Sequence, residues 1–163
     1  MILGIDPGLA STGFAVVSGR VGRLTAVECG TLRTAPRMSQ SERLLALHDG
    51  VCEILGRHEV AAAAIEAWFV HPVSRAAMGM AEARGAILVA LARAALPVAE
   101  YAPNEVKQAV TGNGRAEKDQ VRAMVGRLAS GFAGGSHHAA DALAIAICHL
   151  HQAPLAAAIR RAE

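Results

Sequence analysis

The stretch Ile2-Leu3-Gly4-Ile5-Asp6-Pro7-Gly8-Leu9-Ala10-Ser11-Thr12-Gly13 decides the fold. Its first four residues have no polar face, which predicts a strand buried on both sides of a sheet. Asp6 closes that strand, where backbone and side chain reach the surface of the core. Pro7-Gly8 supplies the central pair of a type II turn, with the glycine in the positive-φ place. Gly13 opens a second apolar run, so the chain folds straight back as a hairpin. A carboxylate at a strand end, beside glycines that admit a close backbone or phosphate, suggests a site. Taken alone, the stretch also allows an aspartate that only caps its own turn.

Outward from this hairpin, 163 residues suffice for one well-buried core and are short for two. Hydrophobic residues make up 53% of the chain, but much of that is alanine. The longest apolar stretch, Gly85 to Ala99, carries Arg93 and is too short to span a membrane. No basic segment followed by an apolar one precedes the first strand, so no secretory signal is expected. Cys29, Cys52 and Cys148 are widely spaced in apolar surroundings and lack zinc spacing, as reduced thiols of a cytoplasmic protein would be. The net charge of +2 announces no nucleic-acid partner. The kind of base says more: among 16 basic residues only Lys107 and Lys118 are lysines, which hints at a point-charge role.

Phe14 to Ser18 and Leu24 to Leu32 read as two further strands, joined by Gly19-Arg20-Val21-Gly22 in a meander. Thr31 to Met38 is a connection, and Ser39 or Ser41 caps a helix to about His58. Ala61 to Glu66 is short, apolar and ends in an acid as the first strand does, so it reads as a buried strand parallel to it. Ser74 caps a long helix to about Leu96, rich in small residues that permit close helix approach. Pro97 to Tyr101 is a strand, and Pro103 starts a helix to about Val110. Ala116 to Leu128 is another helix, and Ala129 to Ser136 a glycine-rich loop. His137-His138 opens a final core helix to about His151. Pro154 begins a short helical tail. The order β-β-β-α-β-α-β-α-α-α predicts an α/β fold with a five-stranded mixed sheet and helices on both faces. One domain covers 1–153, followed by the tail 154–163.

If Asp6 and Glu66 end neighbouring parallel strands, they stand together at the carboxyl edge of the sheet, where α/β ligand sites form. Two close carboxylates repel, and a divalent cation is the ordinary solution. On the final helix Asp141 lies three residues after His138, on one face of an otherwise small and apolar surface. Such polar groups at the mouth of a buried helix want partners.

At this point the residues carry a family resemblance. Ile2 to Gly8 with Gly13, Ile65-Glu66 with Phe69, Glu82-Ala83-Arg84-Gly85, Val106-Lys107-Gln108, Ala116-Glu117-Lys118 and Ala139-Ala140-Asp141-Ala142-Leu143-Ala144 together resemble the RuvC Holliday-junction resolvases. The resemblance runs from about Ile2 to His151, in order and spacing. It implies a ribonuclease-H-like fold with a four-residue metal site. Asp6, Glu66 and Asp141 match the family's acidic ligands. His138 falls where many members have a fourth aspartate and some a histidine. His137 lies on the Asp141 side of the helix too, and only the family register favours His138.

The resemblance further implies two divalent metal ions per subunit, Mg²⁺ or Mn²⁺. Two such ions roughly 3.5–4 Å apart can activate water and stabilise the departing 3′ oxygen of an in-line displacement. Lys107 and Lys118 match two lysines near the scissile phosphate. Phe69 matches an aromatic that stacks on an unpaired junction base, and Trp68 adjoins it in the same DNA-binding loop. Arg75 and Arg115 are placed to contact the arms by charge and loop position alone. The implied protein is a homodimeric, cytoplasmic endonuclease that resolves four-way DNA junctions in recombination and repair. Its paired symmetric nicks leave 5′-phosphate and 3′-hydroxyl ends. The helix from Ser74 is the candidate dimer interface, and the branch-migration proteins RuvA and RuvB are the implied partners. A junction-binding protein with weak or no cleavage is the alternative. An actin-like ATP-binding fold also uses an early Asp-x-Gly hairpin, but the chain lacks the length for its second lobe.

Overall fold

β1 (Ile2–Asp6) is the strand that the opening stretch predicts, and its Leu3 and Ile5 are fully buried. The computed structural model describes residues 1–67, 74–132 and 134–162, with the side chains of 75 and 154–162 left aside. β2 (Ser11–Arg20) and β3 (Arg23–Arg33) complete an antiparallel meander, with a bulge at Val27 of β3, opposite the Val16–Val17 step of β2. Both strands are longer than the sequence predicts, because polar residues at their ends pair in register although no apolar pattern marks them.

The Pro7-Gly8 turn is not of type II. Among the described residues positive φ is confined to other glycines and Ala95, so Gly8 does not occupy the position that type II requires. The buried Thr12 holds the connection instead: its hydroxyl donates to the Gly8 carbonyl at 2.8 Å and accepts from the Gly8 N–H at 3.2 Å.

α1 (Gln40–Arg57) starts at Ser39, which forms a capping box with Glu42. β4 (Ala62–Glu66) then returns parallel to β1, and β5 (Val98–Tyr101) lies parallel to β4. Between them α2 (Arg75–Arg93) is capped by Ser74 and tied to β5 by an Arg84–Glu100 ion pair at 2.6 Å. α3 (Pro103–Thr111) and α4 (Lys118–Leu128) follow. The second begins at Lys118 rather than near Ala116, because Glu117 is its capping residue.

The sheet has six strands in the order β5-β4-β1-β2-β3-β6, one more than predicted. The addition is β6 (Ala129–Ser130), which pairs parallel with Leu24 and Thr25 of β3. Two residues carry no periodicity to read, so this strand is created by its partner. α5 (His137–Ala162) runs through Pro154 as a single helix, so the tail continues the core helix. Helices cover both faces. α3, α4 and α5 bury one side around Leu143 and Ile147, and α1 and α2 bury the other around Leu3, Ile5, Val51 and Ile87. Among the described residues no helix is long and apolar enough to cross a membrane.

Candidate active site

The parallel pairing of β1 with β4 ends on Ile5 and Ile65, so Asp6 and Glu66 are the next residues of adjacent strands. Side chains alternate along each strand. Leu3, Ile5, Ala63 and Ile65 belong to the α1/α2 side, which turns Gly4, Asp6, Ala64 and Glu66 towards α5.

α5 reaches those carboxylates because β1 and β2 present glycine beneath it. A Cβ at Gly4 would overlap the Ala142 carbonyl oxygen, and one at Gly13 would overlap that of His138. The helix therefore lies on bare backbone. His138 Nδ1 meets Asp6 Oδ2 at 2.8 Å, and the Asp6 side chain is only 14% exposed. Lys107 from α3 and Lys118 at the first turn of α4 close the opposite wall. Asp6, Glu66, His138, Asp141 and the two lysines share one cavity of about 330 Å³. Val106, Val121 and Ile145 form its apolar floor.

Burial sets the electrostatics. It raises the Asp6 carboxyl, as does nearby Asp141, against the His138 hydrogen bond. Glu66 is pushed up to about 7, first by burial and then by Asp6 and Asp141, with Lys118 and Lys107 opposing. Concentrated negative charge in a poorly solvated cavity favours a cation. The donor set, three carboxylates and one imidazole, suits a divalent ion with borderline character. Among the described residues no three such side chains are gathered closely enough to hold an ion as they stand.

A family model described as "Crossover junction endodeoxyribonuclease RuvC" matches residues 2–149. The chain belongs to the RuvC family. A RuvC of that description from Parvibaculum lavamentivorans is 46% identical over 98% of this chain and 94% of its own length. The structure resembles Thermus thermophilus RuvC in complex with a Holliday junction substrate, at TM-score 0.89 and 35% identity over 95% of each chain. The yeast mitochondrial resolvase Ydc2 shares the fold, at TM-score 0.64 and 11% identity over 96% of this chain and 82% of that one.

Within this RuvC fold, Asp6, Glu66, Lys107, Lys118, His138 and Asp141, all singled out in the sequence, line one cavity. Trp68 and Phe69 lie outside the described residues, as does the Arg75 side chain. His138 lines the cavity and His137 does not, although both residues are exposed. Arg115 is exposed, and its backbone N–H donates to Asn113 Oδ1 at 3.0 Å. The apolar floor was not legible, since Val106, Val121 and Ile145 look like any core residues until three helices bring them together.

The raised carboxyls have a consequence for stability. Between Glu66's ordinary 4.5 and about 7, the folded chain keeps a proton that the unfolded chain has lost. Stability from this group therefore falls as pH rises through that window. Thermal melts in EDTA are expected to show wild type losing ground to Glu66→Gln from about pH 4.5 to 7. A difference that is flat or of opposite sign would contradict the assignment.

Proposed function

We propose that the chain is a divalent-metal-dependent endonuclease that resolves four-way DNA junctions, with Asp6, Glu66, His138 and Asp141 as its metal ligands. The observation that carries this reading is the joining of three carboxylates, one imidazole and two lysines in a single cavity. Bound there, divalent cations supply Lewis acidity to the scissile phosphate. The chain's own residues do the rest. Asp6 and Glu66 stand on adjacent strand ends, so a rigid sheet sets their separation. Asp6 accepts the His138 hydrogen bond and so orients the ring. Lys107 and Lys118 offset phosphate charge, which grows in the transition state.

Symmetric nicking needs two copies related by a two-fold axis. The outer side of α2 supports a homodimer: Met78 and Val89 are 56% and 55% exposed, on one stripe with Gly85. Leu45 of neighbouring α1 is 59% exposed and adds apolar surface. RuvA and RuvB are the partners that family membership implies, and Trp68 and Phe69 are assigned to junction bases by the same route.

The test is cleavage of a synthetic four-way junction against a linear duplex competitor. Nicks at symmetric positions on opposing strands, sealed by ligase without end repair, are expected. Imidazole suits Mn²⁺ better than Mg²⁺, so turnover with Mn²⁺ should at least equal that with Mg²⁺. A strong Mg²⁺ preference would remove His138 from the ligand set. Tight junction binding with no nicks in either metal would make the chain a binding module.

A further inference from the structure

One rung of the sheet runs through Asp6, Gly13 and Thr31, which are register partners across β1, β2 and β3. Directly opposed residues share a face, so all three are presented to the start of α5. Each meets that helix differently. Asp6 bonds the His138 ring, and Gly13 leaves the space that the His138 carbonyl fills. Thr31 shares a hydrogen bond of 2.5 Å with Ser136, through their hydroxyls.

Ser136 is also the cap of α5. Its Oγ accepts from the Ala139 N–H at 3.1 Å, and its carbonyl accepts from the Ala140 N–H at 3.2 Å. A hydroxyl that accepts one bond still has a proton to donate, so Ser136 can cap the helix and bond Thr31 together. The segment before it contains Gly131, Gly134 and Gly135, whose backbone freedom would not by itself fix where the helix begins.

We propose that Thr31 and Ser136 are a positioning pair for the nuclease site, anchoring the first turn of α5 to the sheet. The proposal rests on the reading of the site given above. Neither residue lines the cavity, so both act through the helix. Ser136 sets where the helix starts, and Thr31 sets where that start sits on β3. Together they hold His138 against Asp6 and keep Asp141 turned into the cavity.

The two residues separate capping from anchoring. Thr31→Val keeps a branched strand former and the intact cap, and removes only the anchor. Ser136→Ala removes both, whereas Ser136→Thr keeps the hydroxyl. With the full chain and a synthetic four-way junction, single-turnover cleavage should fall about tenfold in Thr31→Val and Ser136→Ala, because small misplacements of reacting groups are costly. Junction affinity by fluorescence anisotropy should not change. Mn²⁺ binding to the DNA-free protein, read by electron paramagnetic resonance, should weaken in the same variants. The double variant should be no slower than Ser136→Ala, since the pair acts as one unit, and Ser136→Thr should restore the rate. An unchanged rate in Thr31→Val overturns the proposal, and so does a loss that tracks junction affinity or thermal stability. Asp6→Asn, run alongside, keeps the two readings apart. If it cuts like wild type the site itself is wrong, and if only Thr31→Val does, the anchor alone is wrong.

Discussion

Asp6→Asn will lower junction cleavage by about a thousandfold or more while junction binding persists. The substitution keeps the shape of the side chain and removes one charge. Asp6 sits at the centre of the sheet, with Glu66 on the next strand and His138 bonded across to it. Neutral at this place, the side chain no longer offers a charged ligand to a cation. Lys107 and Lys118 are untouched, so their attraction for phosphate remains. In the metal-free protein the same change relieves the burial and repulsion that raise the Asp6 carboxyl. Thermal stability in EDTA should hold or rise. Activity lost, binding kept and stability not lowered is a pattern that a damaged fold cannot produce. Cleavage within about tenfold of wild type would remove Asp6 from the site.

Gly13→Ala has the second-largest expected effect, and its cause is steric. The added methyl meets the carbonyl oxygen and carbon of His138. Both are backbone atoms and cannot rotate away as a flexible side chain would. α5 has to lift from β2, carrying His138 and Asp141 with it. Overpacking of this kind costs about 1–3 kcal/mol, and a displacement of about 1 Å at a reacting group can cost about a hundredfold in rate. We expect a lower melting temperature together with about a hundredfold slower cleavage. Gly126→Ala on α4 is the control, because a Cβ there meets nothing within 4 Å. Removing that helix-interior glycine should be neutral or stabilise by up to about 1 kcal/mol. Wild-type cleavage by Gly13→Ala would mean that α5 does not rest on β2 as described.

Much of the architecture was legible because its signals are local. Ile2 to Ile5 and Ala62 to Ile65 are apolar on both faces and each is followed by an acid, so two buried parallel strands with paired carboxylates could be read directly. Ser39 and Ser74 announce their helices through cap chemistry that needs no tertiary partner. Other features had no local signal. The Pro7-Gly8 pair satisfies the composition of a type II turn, but the buried Thr12 hydroxyl imposes a different connection. Ala129 and Ser130 become a strand only because β3 offers them a free edge. Thr31 reads both as part of the strand to Leu32 and as the start of the connection; it lies in β3, and its bond goes to a residue 105 positions away. Ser136 could have been found, since a serine before the first helical residue is a cap signal. Its tie to β3 could not.

The sequence by itself determined which residues were available for chemistry: acids at two strand ends, a histidine and an aspartate on one helical face, and two lysines in a chain of arginines. These follow from composition and from the short periods of strand and helix, which any window of the chain displays. Only the tertiary structure decided that they meet. Register brings Asp6 beside Glu66, and the bare backbone of Gly4 and Gly13 lets α5 approach the sheet. The choice between the two histidines of that helix was likewise tertiary. They differ by one position in sequence, but one helical step is about 100° of rotation, and it is His138 that faces Asp6. That rotation decides which ring lines the cavity and bonds Asp6, although both residues are exposed.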